Sequence, residues 1–144
     1  MGRTINLETS GKNRTRLLRL VSAALRELMQ QKNIDGNTRD IVAFISLALL
    51  EISKTIDSTV EPWEKRGYWL KADRFRMEWA WVENTAGSLY SALSTEDWQA
   101  TARVTAGLAQ RLSHVKLPAK HSLGNPWAGA WEKLSRLHSP EKQG

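Results

Sequence analysis

The sequence predicts an all-α protein, an up-down-up-down four-helix bundle with a short fifth C-terminal helix packed against it. Three observations lead there. Apolar residues recur at alternating spacings of three and four along four long segments, so each segment has one helical stripe. No segment alternates apolar and polar residues as a half-buried strand does. The breaks between segments are short and carry Gly, Pro or Asn, and short connections make consecutive helices antiparallel.

Residues 1–11 are polar and glycine-containing and read as a frayed tail. The first helix is expected from Lys12 to Lys32, with Leu17, Val21, Ala24 and Leu28 inward. Asn33 to Gly36 breaks it. Asn37 reads as an N-cap because Asp40, three residues on, completes a capping box. The second helix then spans Thr38 to Val60, with Val42, Ile45, Leu49, Ile52, Ile56, Thr59 and Trp63 as its stripe. Pro62 disfavours helix at Glu61, and one further helical turn is expected over Trp63 to Arg66.

The third helix is expected from Tyr68 to Leu93, with Ala72, Phe75, Trp79, Val82, Ala86, Leu89 and Leu93 inward. Ser94, with Asp97 three residues later, reads as the cap of a fourth helix from Thr95 to Val115. Its inward residues are Trp98, Ala102, Thr105, Leu108, Leu112 and Val115, and Pro118 ends anything longer. Asn125-Pro126 offers a cap followed by Pro at the first helical position. A fifth helix follows to Leu137, placing Trp127, Ala130, Trp131, Leu134 and Leu137 on one face. Residues 12–138 therefore form one domain, and 139–144 read as a frayed C-terminus.

Composition bounds the function classes. The chain has 144 residues and no cysteine, which excludes disulfides and thiolate metal sites and fits a reducing cytoplasm. No apolar leader opens it, and its longest uncharged apolar run, Ile41 to Leu50, is well short of the roughly 20 residues of a membrane span. A soluble protein with no membrane span is expected. His114, His121 and His138 lack ligand spacing, so no metal and no cofactor are expected. No phosphate-cradling glycine loop or nucleophile elbow occurs, and no catalytic residue is assigned. Glu51 reads as a carboxylate at the bundle edge, in water or paired, and Asp57, Glu61 and Glu64 as a solvated acidic group.

Two features point outward. The second helix has Phe44, Leu47 and Leu50 off its main stripe, and the third has Leu70, Met77 and Trp81 off its own. A surface helix needs only one apolar stripe, so the second must be covered, either by the fifth helix or by a second copy of the chain. The candidate partner or ligand surface is therefore Trp69, Leu70, Asp73, Arg74, Met77, Trp81, Trp127 and Trp131. The charges within it are expected to pair along the helix, Arg74 with Glu78 and Asp73 with Arg76.

The other feature is basic. The formal net charge is +6, and Lys12, Arg14, Arg16 and Arg19 fall within eight residues, a possible phosphate-binding group. The leading functional expectation is a non-enzymatic helical interaction or scaffold protein, a homodimer or a small subunit of an assembly. The alternatives are a basic nucleic-acid-binding accessory protein and a small-molecule binder with a Trp-lined interhelical pocket.

Overall fold

A computed structural model describes residues 7–117 and 125–139 of the chain. Among the described residues there are six helices and no strand: α1 (Leu7–Met29), α2 (Gly36–Lys65), α3 (Trp69–Glu78), α4 (Ala80–Ser94), α5 (Trp98–Arg111) and α6 (Ala130–Leu137). None is long and apolar enough to cross a membrane.

The long helix α2 is the centre of the fold, because α1, α3, α4 and α6 all pack against it. Its apolar run explains why. Ile41, Val42, Ala43, Ile45 and Leu49 are fully buried, and burial continues through Ile52 to Val60. Removing each Leu or Ile side chain from water contributes about 1.5–3 kcal/mol, so a helix apolar on several faces gathers neighbours on each. α1 lies antiparallel along one side: Ser10 meets Ser58 hydroxyl to hydroxyl at 2.8 Å, and Arg14 donates to the Thr55 hydroxyl at 3.1 Å. α4 lies on another side, where the fully buried Ser46 hydroxyl donates to the Ala86 carbonyl at 2.9 Å. α5 leans on α4 and touches α1.

Element boundaries differ from expectation for identifiable reasons. α1 begins at Leu7, so residues 7–11 of the expected tail are helical; Ser10 is buried and held by Ser58. Asn37 does not cap α2. Asp35 does, accepting the Thr38 N–H at 3.1 Å. α2 also continues through Pro62 to Lys65. A proline in the last turns removes a single backbone bond, and the buried Thr59 and Val60 hold the segment helical. Beyond the Arg66 cap the chain turns at Gly67, whose φ of 82° suits a residue without Cβ. There the Gly67 N–H returns to the Glu64 carbonyl, and the Tyr68 N–H to that of Trp63.

The expected third helix is two helices, broken at Trp79 (φ −109°, ψ 9°). The break has a clear consequence. Side chains two apart on a continuous helix point to different sides, yet Trp79 and Trp81 stack with centroids 6.0 Å apart. Their stacking requires the interruption.

α5 is capped by Asp97, which accepts the Ala100 N–H at 3.0 Å, and not by Ser94, which still belongs to α4. Glu96 takes the left-handed turn position at φ 53°, with its N–H on the Leu93 carbonyl and the Asp97 N–H on that of Ala92. Within α5, Thr101 is buried and Ala102 exposed, the reverse of the expected facing. Pro118, His121 and Gly124 lie outside the described residues.

α6 begins at Ala130, after Gly129 at φ 77°, and Asn125-Pro126 lies in the turn before it. Asp40 caps it across the fold, accepting N–H bonds from Gly129 and Trp131. Trp127 is buried edge-on against Phe44 at 6.1 Å. Trp131 stacks on Tyr90, which stacks in turn on His138 at 3.7 Å, while the Arg39 guanidinium lies over the Trp131 ring at 5.6 Å. On the second apolar face of α2, Phe44 is thus covered by Trp127, just before α6. Leu137 is 56% exposed and takes no part.

Candidate functional site

The unusual surface lies where the end of α2, the Arg66–Tyr68 connection and α3 meet. Beneath it runs a chain of rings. Trp63 meets Phe75 edge-on at 5.5 Å, Phe75 meets Trp79 at 6.2 Å, and Trp79 stacks on Trp81. Cations from three helices sit over those rings. Lys71 of α3 covers Trp63 at 4.5 Å, and Arg111 of α5 covers Trp81 at 4.6 Å. Arg14 of α1 lies over both Phe75 and Trp79, at 5.2 and 5.3 Å. Each such contact is worth about 0.5–2 kcal/mol depending on desolvation, so the chain of rings also clasps α1, α3, α4 and α5 together.

Arg14 is the most enclosed of these cations. Burial pushes its pKa down, partly offset by the field of Glu78. It donates to neutral acceptors, the hydroxyls of Thr55 and Thr59 and the Thr55 carbonyl. Arg76 shows the opposite shift. It bonds Asp57 at 2.7 Å and Glu64 at 3.3 Å on α2, and these bonds raise its pKa. Asp57 and Glu64 are therefore paired, contrary to the expected solvated group, and the expected Asp73–Arg76 pair does not form. Arg74 does not bond Glu78 either. Among the described residues neither Asp73 nor Arg74 has an ionic partner, and both are exposed.

Among the described residues, Tyr68 and α3 together carry the largest concentration of exposed large apolar side chains. Tyr68 is 53% exposed, Trp69 and Leu70 64%, and Met77 70%. Beside them lies an open groove of about 760 Å³, lined by Trp63, Tyr68, Trp69, Phe75, Arg74 and Glu78 among others. Leu70, Asp73, Arg74 and Met77 share one helix face, opposite the buried Ala72.

The candidate surface read from sequence therefore divides. Trp69, Leu70 and Arg74 line the groove, and Leu70, Asp73, Arg74 and Met77 share one face of α3. Trp81 is half-buried under Arg111, and Trp127 and Trp131 belong to the α6 contact on the other side of α2. Sequence reasoning missed Tyr68 and Lys71. The signal was Tyr68-Trp69-Leu70, three consecutive large apolar residues directly after Gly67, which cannot all face inward from the first turn of a helix.

The basic group divides as well. Lys12, Arg16 and Arg19 are exposed, whereas Arg14 turns inward. Arg16 bonds the Asn13 amide oxygen at 2.8 Å. All four line one shallow groove with Leu18 and Trp79. Glu51 is exposed and bonds Lys54 at 2.9 Å. Among the described residues no group of three or more His, Asp or Glu is placed to hold a metal ion. Comparison with protein-family models, with curated proteins and with solved structures finds no match.

Proposed function

We propose that this protein is a non-catalytic interaction protein whose partner-facing surface is the outer face of α3. One observation carries the reading: Tyr68, Trp69, Leu70 and Met77 are all more than half exposed within ten residues. Isolated exposed apolar residues are ordinary, but Trp, Tyr, Met and Arg exposed together within one short segment is the composition of protein interfaces. We read the bundle as up-down-up-down, with α3 and α4 together acting as one rod; the contacts of α5 with both α4 and α1 support this order.

Photo-crosslinking tests the reading. A photoreactive side chain at position 70 or 77 of the full chain, expressed in its own cells, is expected to give a discrete adduct. The same group at exposed Glu83 serves as control. Absence of an adduct at both 70 and 77, or equal labelling at 83, overturns the reading.

A second reading rests on a separate observation, the groove that brings Trp79 beside Lys12, Arg16 and Arg19. A ring next to cations is how single-stranded nucleic acid is held. Binding to a single-stranded oligonucleotide at low salt, weakening as salt rises, is the expected behaviour. No binding at low salt removes it.

A further inference from the structure

Arg14 is a cation that the fold holds in place without neutralising it. Its guanidinium lies over Phe75 and Trp79, and a single nitrogen, Nη1, makes its hydrogen bonds to Thr55 and Thr59. Among the described residues no carboxylate bonds it, and Glu78 acts on it only through its field. Arg76, by contrast, is met by both Asp57 and Glu64. The Nε and Nη2 atoms of Arg14 have no hydrogen-bond partner among the described residues, and neither is sealed from water. Together they form the side-on edge of the guanidinium, whose two parallel N–H groups match two oxygens of one phosphate.

The surroundings of that edge suit an anion. A groove of about 600 Å³ runs along α1, lined by Lys12, Arg14, Arg16, Arg19 and Trp79 among others, and no acidic side chain lines it. At about 100° per residue, Gly11 and Thr15 fall between Arg14 on one side and Lys12, Arg16 and Arg19 on the other. These two small residues leave the floor open. A Cβ at Gly11 would stand 3.8 Å from Arg14 Nη2, so a larger side chain there would cover the free edge. Trp79 is engaged within the chain, stacked on Trp81 and lying beneath Arg14, which leaves little of its ring for a base.

We propose that this groove binds a run of adjacent phosphates, the open edge of Arg14 gripping one and Lys12, Arg16 and Arg19 the next. The proposal rests on the second reading above, which places a ligand in the same groove. It narrows what is recognised there to phosphate, whether free polyphosphate or the backbone of a strand. Charge draws the ligand in, and the guanidinium edge holds it. A side chain already ordered by two hydroxyls and two rings loses little freedom on binding.

Isothermal titration of the full chain with inorganic tripolyphosphate at about 50 mM salt tests this. The wild type is expected to bind, with affinity falling as salt rises. Arg14→Lys keeps the charge but not the two-donor edge, and is expected to weaken binding about tenfold or more. Gly11→Leu keeps every charge and raises helix propensity, yet covers the edge, and is expected to weaken binding about as much. Arg19→Ala should weaken it about three- to tenfold. Lys32→Ala, past the far end of α1, should leave it unchanged. Thermal melts verify that each variant folds. Gly11→Leu and Arg19→Ala keep the test independent of the packing that Arg14 supplies.

A wild-type chain that does not bind tripolyphosphate overturns the proposal. So does wild-type affinity in both Gly11→Leu and Arg14→Lys, which would mean diffuse attraction to a basic helix. A single-stranded oligonucleotide forms the second arm. Tripolyphosphate bound and the oligonucleotide refused supports the phosphate site and removes the second reading. An oligonucleotide bound with an affinity indifferent to Gly11→Leu and Arg14→Lys removes the phosphate site and leaves the second reading.

Discussion

The Asp40 carboxylate accepts the Trp131 backbone N–H at 2.9 Å, joining residues 91 apart in sequence. The same carboxylate accepts the Gly129 N–H at 3.2 Å, so a residue of α2 supplies the cap that α6 lacks in its own sequence. Asp40→Ala is expected to cost about 1–2 kcal/mol, as loss of an N-cap does. Hydrogen exchange at Trp131 should accelerate more than exchange in α1. Equal acceleration in both helices would mean that Asp40 does not selectively hold α6.

The left-handed position between α4 and α5 is filled by Glu96, where glycine adopts the backbone without strain. Glu96→Gly is expected to raise stability by about 1 kcal/mol, and Gly67→Ala, at the matching position after α2, to lower it by about as much. Chemical denaturation of the two variants measures both. The same sign for both would refute this account of the turns.

Arg14 lies over two rings and is partly desolvated. Arg14→Lys retains the charge but loses the planar contact, and its ammonium hydrates more strongly. Arg14→Met retains much of the packing and removes the buried charge. Thr55 already donates to the Ile52 carbonyl at 2.6 Å, so its hydroxyl is not stranded. The methionine variant is therefore expected to lose less stability than the lysine variant, by about 0.5–1 kcal/mol. The reverse order in urea titrations would show that the charge itself stabilises.

Arg76 is partly exposed, so its two ion pairs together are worth only about 0.5–1 kcal/mol after screening. Its pKa is raised in the folded chain. A raised pKa places the stabilisation below the unfolded value and removes it only as pH climbs through the folded one, in strongly alkaline solution. Arg76→Gln should then lie below wild type by a constant amount between about pH 6 and 9, an amount that shrinks with added salt. A gap that closes steadily as pH rises through neutrality would contradict the assignment.

The α3 face should be dispensable for folding. Leu70→Ser and Met77→Ser are expected to change the stability of dilute protein by less than about 0.5 kcal/mol, against about 2–5 kcal/mol for Leu49→Ala in the core. Thermal melts at low concentration decide this. A large loss for either serine variant would place that side chain in the intramolecular core.

The helical class and most of the inward stripe were legible because spacing alone reports which residues share a face. Val42, Ile45, Leu49, Ile52, Val82 and Leu89 are enclosed as their positions required. The caps were misread for a common reason. Asn37 and Ser94 have the right residue types, but the caps are Asp35, Asp97 and, from 91 residues away, Asp40. A long-range cap leaves no local pattern. The break at Trp79 was hidden because its stripe continues in register on both sides. Of the candidate surface, the α3 residues were legible as surplus apolar positions, whereas the home of Trp127 and Trp131 depended on which helix α6 would meet.

The central place of α2 also limits how this chain can be divided. Residues 36–65 touch four other helices, so a cut there would leave both pieces with opened cores. Fragments meant to reassemble into a working whole should be severed in the turn near Asn33 or at Glu96, where a gap in the backbone would leave the central rod whole.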